Sequence, residues 1–183
     1  PTPTRTGYTF WGWTGEGITK PQPSVTIPRG STGDKTYIEN WVETGYTITL
    51  DLNGGSGKEK VIYTMTDEDF ELPTPTRNGY EFVGWTGERI TTPQTSVKIP
   101  KGSTGNKAYT ANWQVIEYTI TLLEMDGAGT SEALVYTVEQ PVTLPTPTRE
   151  GYAFLGWTVN SDMAPQLTVV LPQGSIGNKT YTA

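Results

Sequence analysis

Catalysis and metal binding need side chains that exchange protons, attack electrophiles or donate lone pairs, and this sequence is poor in them. It contains neither His nor Cys, which removes at once the commonest general base, the commonest transition-metal ligand, thiolate sites and disulfides. Acids, cations and rings remain. Asp67-Glu68-Asp69 sets three carboxylates side by side, the ligand type that suits Ca²⁺. They lack a glycine-punctuated loop, and a solvated loop accounts for them better. Other acids change identity wherever the chain repeats itself: Glu16 and Glu88 give way to Asn160, Asp34 to Asn106 and Asn178, Glu39 to Ala111 and Ala183. No catalytic, cofactor-binding or metal-ligating residue is assigned.

The cations do repeat, as Arg5, Arg77 and Arg149 and as Lys35, Lys107 and Lys179; packing beside strands explains them better than a ligand does. Tryptophan is the remaining ambiguity, since exposed rings form platforms for sugars. Five of the six, Trp13, Trp41, Trp85, Trp113 and Trp157, occupy repeated positions, which fits a core role. Trp11 stands apart. It lies where the other copies have Val83 and Leu155, opposite Tyr8 and Phe10, and it is the one weak candidate for ligand contact.

The elements that position these residues recur with a constant step. Gly-Tyr-Xaa-Phe-Xaa-Gly-Trp begins at Gly7, Gly79 and Gly151, and 79 − 7 and 151 − 79 both give 72. A period of this size marks an array of supersecondary units. Each copy opens on Pro-Thr-Pro-Thr-Arg, at Pro1, Pro73 and Pro145; two prolines keep that lead extended and outside a central ladder. In the strand that follows, Tyr80 and Phe82 alternate with Glu81 and Val83, so the two rings share a face. Strict alternation would turn Trp85 away from Phe82. Bulges at Gly12, Gly84 and Gly156 are expected to swing each Trp back.

A polar loop and a short strand come next, at Ser24–Ile27, Ser96–Ile99 and Thr168–Leu171, then Gly-Ser-Thr-Gly turn chemistry from Gly30 and Gly102. Closing strands are expected at Tyr37–Trp41 and Tyr109–Trp113. The other half of the period is a hairpin: Tyr46-Thr47-Ile48-Thr49-Leu50 alternates, Asn53-Gly54-Gly55 turns, and Val61, Tyr63 and Met65 return on one face. The third copy repeats it through Tyr118, Ile120 and Leu122, with Asp126-Gly127 as the turn. It carries one extra residue near Leu123 and Glu124, where a bulge would restore Met125 to the core. No window shows helical spacing, and Asp67–Phe70 is expected to form at most a turn.

The sequence therefore reads as mainly β: a partial module over 1–42 lacking its first hairpin, and modules over 46–113 and 118–183. The linkers, Val42–Gly45 and Gln114–Glu117, hold neighbours close. Domains this small usually need a disulfide or metal; here aromatic rings take that part, each contributing about 4–5 kcal/mol of gross burial energy for about 200 Å². A net charge of −6 without runs of like charge argues against nucleic-acid and anionic-membrane partners. No apolar run approaches the roughly 18 residues of a membrane span. The chain starts at Pro1 and is expected to be part of a longer polypeptide whose export signal and anchor lie elsewhere.

Taken together, the Gly-Tyr-Xaa-Phe-Xaa-Gly-Trp strand, its Pro-Thr-Xaa-Arg lead, the Tyr-Thr-Ile-Thr-Leu…Asn-Gly-Gly hairpin and the closing Tyr-Thr-Ala-Asn-Trp resemble the Listeria–Bacteroides repeat, the type of the internalin B B-repeats. The likeness covers essentially the whole chain. It implies tandem β-grasp-like modules arranged as an elongated string, in exported or wall-attached proteins of mainly Gram-positive bacteria, without catalytic motif or cofactor. Ser-Val-Lys-Ile-Pro stands where internalin-type copies tend to have a short helix. The implied role is a semi-rigid extracellular stalk supporting adhesion, whose partners are neighbouring repeats. The alternative is a multivalent module that binds a glycan or a host surface protein through exposed aromatics.

Overall fold

Apolar residues alternating with polar ones build one sheet system per repeat, and the differences between repeats follow from which strands are present to pair. The computed structural model describes residues 1–126, 129–159 and 163–183; Gly127 of the expected turn and Asn160 lie outside them. Among the described residues there are strands and turns but no helix, so the chain is mainly β. The expected turn falls slightly earlier than Asp67–Phe70, at Met65–Thr66, with the Asp67 carboxylate accepting the Thr64 amide at 2.9 Å.

The first repeat supplies β1 (Tyr8–Gly15), β2 (Ile18–Gln22) and β3 (Ile38–Glu43), a sheet of order β2-β1-β3. The second supplies β4 (Tyr46–Asp51), β5 (Lys60–Tyr63), β6 (Phe70–Glu71), β7 (Tyr80–Gly87), β8 (Ile90–Gln94), β9 (Lys98–Ile99) and β10 (Lys107–Val115). Five of them order as β5-β4-β10-β7-β8, with β4 and β10 parallel and β6 paired to β9. In the third, β11 (Tyr118–Leu123), β12 (Ser131–Tyr136), β13 (Val142–Thr143), β14 (Val170–Leu171) and β15 (Lys179–Thr182) form β12-β11-β15 and β13-β14, and β11 again runs parallel to β15.

The chain forms two compact units: Pro1–Asp51 with Lys58–Pro73 and Trp85–Thr110, and Leu52–Gly57 with Thr74–Gly84 and Ala111–Ala183. Neither is a single repeat. In the first, Ile48, Leu50, Tyr63, Leu72, Trp85, Ile99 and Tyr109 are buried. In the second, Ile120, Leu122, Tyr136, Leu144, Trp157 and Leu171 form one cluster with Tyr181 and Phe154 packed on it. The sets correspond position by position, as one sequence pattern folded twice must.

Three expectations need correction. The loop before the short strand is itself a strand, β2 and β8, each carrying a proline, Pro21 or Pro93. Both lie at a sheet edge, where a missing amide donor costs no ladder bond. The short strand shrinks to β9 and β14 and is absent at Ser24–Ile27. Its partner strand comes from the hairpin half, as β6 or β13, and among the described residues none precedes β1. Finally, Tyr152–Phe154 forms no strand; only Trp157 and Thr158 bridge, to Gln166 and Thr182. In the first repeat the matching ladder runs Tyr8 to Glu43 and Phe10 to Trp41, and the third-repeat counterparts of those partners would follow Ala183.

The extra residue of the third repeat is absorbed without a break in the ladder, which stays in register to Leu123 opposite Ser131. Glu124 instead adopts a left-handed conformation at φ 60°, and Met125 returns to pack on the core.

Candidate functional site

The bulge expected at the Gly-Trp step forms in the first repeat. In the first repeat the β1–β3 register slips between Phe10 and Gly12, and Trp13 returns to the face of Phe10, ring centroids 5.4 Å apart. Gly12 has φ 148°, and a Cβ there would meet the Gln22 backbone at 2.6–2.7 Å; no other residue fits. An Asn holds the bulge: Asn40 Nδ2 donates to the Gly12 carbonyl and Asn112 Nδ2 to that of Gly84, each at 3.1 Å. Nothing in the residue type of these asparagines alone points to that task. The signal was their place, one residue before the closing Trp in both copies.

Trp85 and Trp157 are 1 % and 2 % exposed, sealed as core residues, and Trp157 Nε1 donates to the Pro145 carbonyl at 3.0 Å. Trp113 is half-buried, with Nε1 donating to the Leu52 carbonyl at 3.0 Å and its ring edge-on to Phe82. Trp41 is half-buried against Phe10. Trp13 is only half-buried and lines an open hollow of about 460 Å³ with Val25, Ile27 and Tyr37. A smaller hollow of about 290 Å³ in the third repeat lies along Met125, Arg149, Phe154 and Leu155.

Most of the charged candidates are engaged in structural contacts. Arg5, Arg77 and Arg149 stack over Tyr8, Tyr80 and Tyr152 at 4.0, 3.7 and 3.7 Å, a cation–π pairing that fixes the turn before each signature segment. Arg77 also donates to the Asn53 carbonyl at 3.2 Å. Lys107 reaches the Thr104 carbonyl and Lys35 pairs with Glu16. The side chains of Glu16 and Glu88 accept the amides of Thr36 and Ala108. The acidic triplet diverges instead of converging on a cation: Asp67 serves Thr64, Glu68 pairs with Lys101, and Asp69 accepts from the Lys101 amide and Lys98, both at 2.7 Å. The Lys101 amide and then Lys98 hold the Asp69 carboxyl below its ordinary range. Among the described residues no group of three acids is placed to hold a metal ion.

Two buried tyrosines repeat one bond. Tyr63 donates to the Gly105 carbonyl and Tyr136 to that of Gly177, each at 2.5 Å, and burial pushes both phenols above their usual pKa. Trp11 is 60 % exposed, as its counterpart Leu155 also is, at 75 %. By register it shares the outer face of its sheet with Ile38 and Val42, both exposed.

The linkers and corners carry the other recurrent geometry. The Gly7 carbonyl accepts the Thr44 amide and the Gly79 carbonyl the Ile116 amide, both at 2.9 Å. Beside them Thr66 donates to Glu43 at 2.9 Å, and the Tyr80 hydroxyl to Glu139 at 3.1 Å.

The model of the Listeria-Bacteroides repeat domain matches residues 1–36, 46–112 and 118–181. A putative Gly-rich membrane protein of Evansella cellulosilytica is 29 % identical over 157 residues, covering 82 % of this chain and 18 % of its own length. A putative membrane protein of the same organism is 26 % identical over 156 residues, 85 % of this chain and 23 % of its own. Internalin H of Listeria monocytogenes is 32 % identical over 83 residues, 45 % of this chain and 15 % of its own. The chain thus spans under a quarter of each relative's length. With three matches in phase with its 72-residue step, this chain belongs to the Listeria-Bacteroides repeat domain family.

Proposed function

We propose that this chain is a non-enzymatic spacer of a bacterial surface protein, a semi-rigid extracellular stalk that supports an adhesive or other terminal domain. Its modules are the three stretches 1–42, 46–113 and 118–183, and the parallel pairing of first and closing strands supports a β-grasp-like plan for the two longer ones. The observation that carries the reading is the repeated linker bond, Thr44 to Gly7 and Ile116 to Gly79. A flexible tether would leave those amides to water; here both linkers close on the preceding repeat in the same way. The engaged charges fit the same reading, because a reaction would need a carboxylate or amine aimed at a substrate. A globule of 72 residues has a radius of gyration of about 11 Å, so each repeat adds roughly 30 Å of reach. Solution scattering should return a maximum dimension well above that of a compact globule of this chain length; a compact profile overturns the stalk.

The exposure of Trp11 beside Ile38 and Val42 supports the second reading, a surface that holds a glycan or host protein. Trp11→Ala should abolish glycan-array binding while circular dichroism stays unchanged; silence of the unmodified chain on the array removes this alternative.

A further inference from the structure

Two corners of this chain are filled by the hairpin of the repeat that follows; at the third, Gly151, no described atom takes that place. Gly7 and Gly79 are buried at φ 77° and 75°. A Cβ on Gly7 would overlap Met65 Sδ, and one on Gly79 would overlap the Val138 methyls. Met65 and Val138 hold the same place in the next repeat, two residues past the hairpin tyrosines Tyr63 and Tyr136. Their carbonyls are fixed from within their own repeat, by the amides of Gly102 and Gly174 at 2.9 and 2.8 Å, so the apolar side chain is aimed at the corner. Around each contact the linker closes on the corner glycine's carbonyl.

Gly151 has the same backbone, φ 80°, and Arg149 stacks on Tyr152 as in the other copies. Yet no described atom lies within 4 Å of where its Cβ would be, Gly151 is exposed, and Tyr152 is 67 % exposed against half-buried Tyr8 and Tyr80. The corner is therefore formed before anything fills it. Its shape comes from its own turn and its own Arg–Tyr stack.

We propose that the Gly-Tyr corner is a socket for the apolar side chain two residues past the hairpin tyrosine of another Listeria–Bacteroides repeat, and that the Gly151–Tyr152 corner takes such a hairpin in the same way. The occupant must be a repeat whose hairpin is unengaged, because Met65 and Val138 already fill corners here. Its chemistry is specific: a valine or methionine flanked by a polar residue that can meet the neighbouring side chains, as Glu139 meets Tyr80. A small glycine at left-handed φ is required because the incoming side chain occupies the volume of a Cβ.

This deepens the stalk reading and rests on it for the kind of partner. The test compares the full chain with the same chain extended after Ala183 by a second copy of residues 112–183, which supplies a closing strand, the four-residue linker and a new hairpin. In the extended chain, amide exchange at Tyr152 should slow at least about tenfold. Gly151→Ala should then lower Tm far more than it does in the original chain, to the same extent as Gly79→Ala measured alongside it. The left-handed strain is common to both chains and cancels in that comparison. Replacing the copied Val138 by Ala should relieve part of the penalty. Unchanged exchange at Tyr152, together with an equal effect of Gly151→Ala in both chains, overturns the socket. The stalk reading stands or falls separately, on the scattering profile.

Discussion

Trp13 and Trp157 occupy the same place in the same motif, one residue after a glycine of positive φ and edge-on to a phenylalanine at 5.4 and 5.6 Å. One lines an open hollow; the other is 2 % exposed. Local sequence aims both rings alike, so aim does not decide burial. What differs is the hairpin: Trp157 clusters with Ile120 and Leu122 of β11, whereas among the described residues no strand lies beside β3 on the side away from β1. Position 39 tells the same story, since Glu39 is exposed where its counterpart Ala111 is fully buried. A repeat is thus two half-cores, and only their meeting excludes water.

The sharpest break of this comparison is truncation of the rings. Trp157→Ala and Trp85→Ala should each cost about 3–5 kcal/mol, the range for emptying a buried aromatic site. Trp13→Ala should cost clearly less, because water already reaches its ring. Denaturant unfolding followed by circular dichroism measures both, and equal losses would mean that the hairpin does not seal the core.

Smaller effects are expected at the hydroxyl that ties each hairpin to its glycine loop. Tyr136→Phe should lose about 0.5–1.5 kcal/mol, the net worth of one hydrogen bond, and Tyr63→Phe a similar amount. The phenol pKa values in the fold lie above the unfolded value near 10.0. The neutral forms are therefore favoured by folding, and their contribution is complete below pH 10 and lost as pH rises through the higher folded values. Phenolate absorbance should show a late-titrating class, reduced in each Phe variant. Titration of all tyrosines at the ordinary value would refute it.

The smallest effect belongs to the exposed acidic loop of the second repeat. Asp69 titrates below its unfolded value of 3.8, so its contribution is present above that value and fades as pH falls through the lower folded one. Asp69→Asn should flatten the acid limb of a stability–pH curve and leave neutral-pH unfolding almost unchanged. A large loss at neutral pH would mark this loop as more than a solvated turn.

Much of the fold was legible because its signals are local. The Asn53-Gly54 turn, with Asn53 at φ 47° and Gly54 at φ 81°, and the alternation of β4, with Ile48 and Leu50 buried and Thr49 exposed, need no knowledge of distant residues. The bulge could be read because one glycine breaks a period of two. β2 and β8 were missed since a proline and polar residues look like loop; only an edge position makes such a strand permissible. Of the candidate site, alternation sets Trp11 opposite Phe10, and its ring is exposed. The Arg–Tyr stacks and the corner sockets could not be read from either partner alone, because each is a contact whose second residue lies elsewhere in the chain or needs turn geometry to meet it.

By itself the sequence determined the period, the β class, the two hairpins and the glycines that admit left-handed backbone, all of which depend on residues within a few positions of one another. Tertiary structure alone decided which tryptophans are sealed, which repeated segments become strands, and which side chain meets each of the Gly7 and Gly79 corners. The physical reason is that burial and ladder pairing are properties of two segments: a strand exists, and a ring is dry, only when the complementary segment is there to meet it.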